Sequence, residues 1–358
     1  MKSLIPLVLV FLGCSAYADD PGTGENAAEV PRKVTKAVSL HVDAPKYPQR
    51  ALRRGIEGWV IVGFTVTKDG STDEIEVLSN SIEDYFDDAA IEATRTRTYQ
   101  PATLSGKPVM QGNMSVRVVF ELKDSSGGVS KPFLKVYKKA SRALDDKDYE
   151  LAKSLIDKLE QNEKRLLAEV CYLDMLKARY FEERGNSKAT LRYLERALAI
   201  ADMVASKPIY ISLLKRAIVA NAKANSFHAS LKHYDKLLEV DKELSPDDPI
   251  HQLATRERQT LNSDSTIQTT GKTAQSCRAC VDRGVYIWSH ILNRSRFLID
   301  QVLGEVSEIE LLCDHSTTSI AYTPETAWSV NRDGGECKIR VFGEKGTTFR
   351  LVELAPES

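Results

Sequence analysis

Cysteine, histidine and the carboxylates are the residues of this 358-residue chain that could do chemistry, and the cysteines are the most patterned of them. Six are present, and Cys277, Cys280, Cys313 and Cys337 cluster towards the C-terminus. Cys277-x-x-Cys280 has the tight spacing of half a zinc site. A two-pair zinc site needs a second tight spacing, and Cys313 and Cys337 stand 24 residues apart. A redox pair of the Cys-x-x-Cys type needs a strand before it and a helix start beneath it. A polar, Thr-rich stretch precedes Cys277 instead. Disulfides are the plain reading, in keeping with an exported chain. Cys313 leaves one expected strand and Cys337 enters another, so these two are expected to bridge. Cys277 and Cys280 are left to pair with each other. Closing the 24-residue loop would contribute about 3 kcal/mol. Cys171 lies in a helical pattern with no base nearby and reads as a packing residue.

No catalytic constellation emerges. There is no Gly-rich phosphate loop, no Gly-x-Ser-x-Gly elbow and no His-Glu-x-x-His. Ser289-His290 and Asp314-His315 are merely adjacent in sequence. His228 and His233 are five residues apart, which puts them on different faces of a helix rather than on one metal-binding face. The 50 carboxylates mostly sit beside Lys and Arg on helical faces and read as solvated surface. The expectation is no enzyme, no metal, no cofactor and no small-molecule substrate. The net charge of −1 and 7% aromatics give no electrostatic or stacking case for nucleic acid.

The first residues read as an export signal. Lys2 is the positive end, Leu4 to Gly13 the apolar core, and Ala16-Tyr17-Ala18 the small-residue cleavage site. The apolar run is well short of the ~20 residues needed to span a bilayer. Phe11-Leu12-Gly13-Cys14 also resembles a lipoprotein box, so Cys14 is either removed with the signal or lipidated. Residues 19–43 are a flexible lead-in. Val38, Leu40 and Val42 alternate with Ser39 and His41 near its end, as in an edge strand.

The most ordered pattern runs from Tyr47 to Leu122. Pro48 to Arg54 reads as a short helix ended by Gly55. Trp59, Ile61, Gly63 and Thr65 alternate with Val60, Val62, Phe64 and Val66 as a strand. Lys68-Asp69-Gly70 is a hairpin turn, and Ile75 and Val77 mark the returning strand. Asp84 to Thr98 is a helix with Phe86, Ala89, Ala90 and Ala93 on one face. Val109 to Leu122 is the last strand. One helix on a small antiparallel sheet leaves an exposed strand edge, a place where a partner's strand can add. The alternative is an ordinary α+β domain whose edge Arg117 and Lys123 blunt.

These residues resemble the C-terminal domain of TonB energy transducers. The matching features are Tyr47-Pro48 with Ala51, Gly58 before the Val60-to-Val66 strand, Asp69-Gly70, Ser79, Ala89-Ala90, Tyr99 with Pro101-Ala102, Gly106-Lys107-Pro108, and Val116 to Leu122. The resemblance implies an α+β domain that pairs its last strand with a short peptide of an outer-membrane receptor. The residues it assigns to the partner are Ser115, Val116, Arg117, Val118, Val119, Phe120 and Glu121, with Tyr47 and Pro48. Transducers of this family keep an N-terminal membrane helix and a long Pro-rich arm. Here a cleavable signal comes first, and residues 19–43 hold only Pro21 and Pro31. The resemblance therefore implies partner binding, with energy transduction only if the N-terminus is retained as an anchor.

Beyond a Ser/Gly-rich linker, residues 133–262 are helical in pattern and repeat. Asp148-Tyr149-Glu150, Gly185-Asn186-Ser187 and Asn225-Ser226-Phe227 each open an amphipathic helix, with spacings of 37 and 40 residues. This resembles a degenerate tetratricopeptide array, a short solenoid that would act as a protein-binding groove or as a spacer. Residues 285–354 read as β, with strands over 285–288, 309–313, 319–322, 337–342 and 348–354 and turns at Arg332-Asp333-Gly334-Gly335 and Glu344-Lys345-Gly346, and are expected to form an antiparallel sandwich or barrel.

The expected organisation is multidomain: signal peptide 1–18, lead-in 19–43, a small α+β TonB-C-like domain at 44–123, linker 124–132, an all-α repeat solenoid at 133–262, linker 263–276, and a disulfide-containing antiparallel β domain at 277–358. The expected function is binding of a cell-envelope protein or receptor peptide in the periplasm by strand addition. Membrane contact is expected only through lipidation at Cys14 or a retained anchor. The alternative is an envelope-assembly scaffold acting through the helical repeats.

Overall fold

The computed structural model describes residues 34–82, 84–123, 127–162, 164–274, 280, 284–314, 316–330 and 335–356. Two short strands come first, β1 (Val34–Thr35) and β2 (Val38–His41). Then follow α1 (Gln49–Arg54), β3 (Gly58–Val66), β4 (Thr72–Asn80) and α2 (Asp87–Arg95). Three short strands, β5 (Thr98–Gln100), β6 (Ala102–Leu104) and β7 (Lys107–Val109), lead into β8 (Gln111–Phe120). The helix expected over 84–98 is shorter at both ends. Its cap falls at Phe86, and the β-branched residues after Arg95 turn into β5, which pairs with β2.

Gly55 ends α1 in the left-handed region, at φ 64°, with its N–H on the Leu52 carbonyl. Gly70 closes the β3–β4 hairpin at φ 87° and accepts the Tyr99 N–H at 2.8 Å. A Cβ at Gly70 would overlap the Tyr99 carbonyl oxygen, so the turn requires glycine. The main sheet is antiparallel in the order β4-β3-β8. One face packs Val60, Val62, Val118 and Phe120 against Ala51, Ile56, Phe86 and Ala90.

The helices α3 (Lys131–Asp145), α4 (Tyr149–Glu160), α5 (Leu167–Glu183), α6 (Ser187–Val204), α7 (Lys207–Lys223), α8 (Phe227–Val240) and α9 (Pro249–Leu261) follow. Helix α3 starts inside the stretch expected as linker, because Ser130 caps it by accepting the Phe133 N–H. The three repeat openings are the second helices of three pairs. Lys147, Gly185 and Asn225, at φ 58°, 69° and 55°, occupy the same left-handed position just before α4, α6 and α8. Glycine and asparagine tolerate that conformation, and Lys147 is the exception. Asp148 and Asn186 then cap their helices through side-chain oxygens. Apolar clusters run along the array, from Phe133, Ala140 and Ile156 to Leu194, Ala197 and Leu213, and on to Ile218 and Leu237.

The last region is a two-sheet sandwich. Its strands are β9 (Ile267–Lys272), β10 (Tyr286–Ile291), β11 (Arg296–Leu303), β12 (Val306–Cys313), β13 (Ser316–Ile320), β14 (Ala327–Ser329), β15 (Cys337–Gly343) and β16 (Thr348–Glu353). One sheet has the order β10-β15-β12-β13, the other β14-β11-β16-β9. Phe297, Ile299, Phe349 and Leu351 meet Ile309, Ile339 and Val341 between them. Strand β9 corrects the expectation of a linker over 263–276. Its threonines are β-branched and favour extended backbone, and Ile267 and Gly271 turn inward against β16. Cys313 and Cys337 lie directly opposite each other on β12 and β15 and are joined in a disulfide. Cys280 is buried and disulfide-bonded, and Cys277 lies outside the described residues.

Candidate functional site

Strand β3 is central, so β8 is an edge of its sheet. The side chains of β8 alternate between two covered faces. Val118 and Phe120 enter the α1/α2 core, where the Phe120 ring lies 4.6 Å from that of Phe86. Val119 turns to the other face with Trp59 and Ile61, and there the helices cover it: Leu167, Cys171, Leu194, Ala197 and Ile200 complete that cluster. Cys171 is buried and donates to the Ala197 carbonyl, and burial pushes its thiol up to about 12. It is a packing residue, not a nucleophile.

Arg117 does not blunt the edge. It reaches over the covered face to α6, donating to Asp202 at 2.6 and 3.0 Å and to the Ala199 carbonyl at 2.6 Å. Of the residues expected to meet a partner, Ser115 and Glu121 are exposed, Val116, Arg117 and Val119 are half-buried, and Val118 and Phe120 are buried. Tyr47 is half-buried against the core, and Pro48 is half-buried at the start of α1. The Tyr47 ring stands edge-on to Phe86 and Phe120, its hydroxyl donates to the Ile56 carbonyl at 2.6 Å, and Pro48 caps α1. Burial, with the Glu57 charge as a smaller cause, pushes the Tyr47 phenol up to about 12.

Among the described residues no strand pairs with the outer edge of β8. One backbone bond, Gly112 N–H to the Asp314 carbonyl, caps one end. At the other end the Leu122 N–H goes to the Glu57 carboxylate at 3.1 Å. Between them the outward-pointing backbone groups from Ser115 to Glu121 have no protein partner among the described residues. The site is thus a length of backbone edge, framed by two fixed ends.

Sequence reasoning missed the residues that frame it. Glu57 is 1% exposed and also accepts the Leu167 N–H at 2.9 Å, tying the sheet to α5. Arg196 on α6 donates to the Asn80 and Ser81 carbonyls and to Asp174 at 3.2 Å, and lies over Trp59. Asn113 donates to the Leu312 carbonyl at 2.7 Å, joining β8 to the sandwich. The one available signal was the apolar Trp59-Ile61 half of the alternation, which required a second cover. His228 and His233 are half-buried: His233 lies 2.8 Å from Glu195 and His228 3.2 Å from the Asn293 carbonyl.

Comparison with known proteins bears on this same segment. The family model described as "Gram-negative bacterial TonB protein C-terminal" matches residues 43–122. Residues 43–122 are similar to the TonB C-terminal domain. Protein tonB2 of Pseudomonas aeruginosa is 39% identical over 83 residues, 23% of this chain and 30% of that protein. Protein TonB of Helicobacter pylori strain 26695 is 32% identical over 109 residues, 30% of this chain and 35% of that protein. The chain therefore spans about a third of the length of these relatives. The solution structure of the Pseudomonas aeruginosa TonB C-terminal domain is 31% identical and covers 25% of this chain and 91% of that one, with a TM-score of 0.22. Outside this matched segment the chain has the helical array and the sandwich. No helix among the described residues is long and apolar enough to cross a membrane.

Proposed function

We propose that this is a periplasmic TonB-family protein that captures an extended peptide of an outer-membrane receptor or another envelope protein by adding it as a fourth strand to β8. The observation that supports this is the outer edge of β8, unpaired from Ser115 to Glu121 while both faces of the same strand are covered. Backbone hydrogen bonds would supply the affinity, and the side chains of Ser115 and Glu121 would contribute to selectivity. The helical array is the short solenoid that carries the domain, and its role is to hold the sheet at a fixed angle. Energy transduction is the fuller version of this reading and requires a retained N-terminal anchor.

The test is a peptide titration with paired proline variants. Neighbouring strand residues point their N–H groups to opposite edges, so Ser115→Pro and Val116→Pro remove one outward and one inward donor. One variant is expected to weaken receptor-peptide binding by at least about ten-fold with an unchanged melting temperature. The other breaks the β3 ladder and lowers the melting temperature. If neither weakens binding, strand addition at β8 is wrong.

The second reading is an envelope scaffold, in which the TonB domain serves as a packing module. The burial of Trp59, Ile61 and Val119 against α5 and α6 favours it. Peptide binding that survives both proline variants supports it over strand addition.

A further inference from the structure

The outer face of α3 carries a basic stripe that the net charge of −1 averages away. Phe133, Ala140, Ala143 and Leu144 are the buried face of this helix. Lys131, Lys135, Lys138 and Arg142 follow at intervals of four, three and four residues, so at 100° per residue they stack on the pole opposite that core. Lys139 flanks them. All five are exposed, and none makes an ion pair with a described residue. No acidic residue lies between Lys131 and Arg142. Beyond the stripe, Asp145 pairs with Arg179, and Asp146 is the C-cap of the helix through its backbone N–H. The stripe is about 16 Å long. Leu134, 36% exposed, lies along one side of it.

We propose that this face of α3 docks on an anionic phospholipid surface. Charge complementarity calls for an anionic partner, and four of the five cations are lysines. Lysine is a mobile point charge suited to a diffuse layer of phosphates, whereas recognition of fixed carboxylates in a protein partner favours the planar fork of arginine. The pole of a single helix offers no groove for a peptide. It matches a flat headgroup layer, into which Leu134 can press its side chain. The contact is peripheral and electrostatic, and it would fix which side of the molecule faces the bilayer while β8 is left for its partner.

The experiment is sedimentation of the chain from Asp19 onward, which keeps every described residue, with lipid vesicles. Vesicles of phosphatidylcholine are compared with vesicles containing about one-third phosphatidylglycerol. Binding is expected only to the anionic vesicles, and high salt is expected to release it. The variant Lys135→Gln/Lys138→Gln/Lys139→Gln/Arg142→Gln should reduce the bound fraction at least about ten-fold with an unchanged melting temperature, since these side chains support no fold contact. Equal binding to neutral vesicles, or binding unaffected by the variant, overturns the proposal. So does binding of poly-glutamate without binding of anionic vesicles, which assigns the stripe to an acidic protein.

Discussion

At the scale of single residues, Arg117 separates fold from function. Its ion pair with Asp202 is about one-third exposed on each side, at 32% and 38%, so it is partly screened and contributes about 1 kcal/mol. Arg117→Ala is expected to lower stability by that amount in urea titration and to leave receptor-peptide affinity within about two-fold, because the side chain lies over the face and not along the edge. A large loss of affinity without a loss of stability would place Arg117 in the partner contact. Tyr47 gives a pH signature. The folded phenol holds its proton to about 12, against 10.0 when unfolded. The folded state therefore binds the extra proton in that window, and stability falls as pH rises from 10 towards 12. Tyr47→Phe removes the bond to the Ile56 carbonyl, lowers stability at neutral pH by about 1 kcal/mol, and flattens the alkaline decline in melting temperature. An unaltered decline would assign it to other groups.

At the scale of elements, what was legible followed the strength of the alternation. β3 and β8 were read from clean period-two patterns, and α1 from Pro48 and Gly55. The helix pairs were read from turns whose left-handed position recurs at Lys147, Gly185 and Asn225. β9 was not legible, because Gln268, Thr269 and Thr270 look like a polar linker until β16 lies beside them. β11 was missed as well. Phe297-Leu298-Ile299 is a continuous apolar run, and the register shift between Asp300 and Leu303, with Gln301 at φ 49°, breaks the rest of the period. Gly271 tests whether β9 belongs to the sandwich. A Cβ there would overlap the Phe349 ring, which is buried and has no room to retreat. Gly271→Val is expected to destabilise the sandwich by about 1–3 kcal/mol, read from the fluorescence of Trp288, which packs on Phe349 at 5.1 Å. A change within experimental scatter would return residues 267–272 to the status of a tether.

At the scale of the whole molecule, three regions close on one another through three polar junctions, and no local pattern in the sequence announced any of them. The sheet meets the helices at Glu57 and Arg196. It meets the sandwich through Asn113 and through Arg340, which bridges Glu76 and Glu310. The helices meet the sandwich at Asn293, which accepts the Phe227 N–H and donates to the Asn225 carbonyl and to Glu353, a fully buried carboxylate. Each junction leaves buried polar groups unpaired if it opens, so opening one region penalises the others. The chain is therefore expected to unfold as one unit. Its three tryptophans allow this to be measured, since Trp59 reports the sheet–helix junction and Trp288 and Trp328 report the sandwich. A Trp288→Phe/Trp328→Phe variant and a Trp59→Phe variant should share one urea midpoint. Adding Asn293→Ala removes one of the hydrogen bonds of the Glu353 carboxylate, which keeps the Arg294 N–H, and strands the Phe227 N–H, at about 1–3 kcal/mol, and should pull the sandwich midpoint below that of Trp59. Two midpoints already separate before Asn293 is changed would mean that the regions fold independently, and that the edge of β8 moves relative to the basic face of α3 instead of being held at a fixed angle to it.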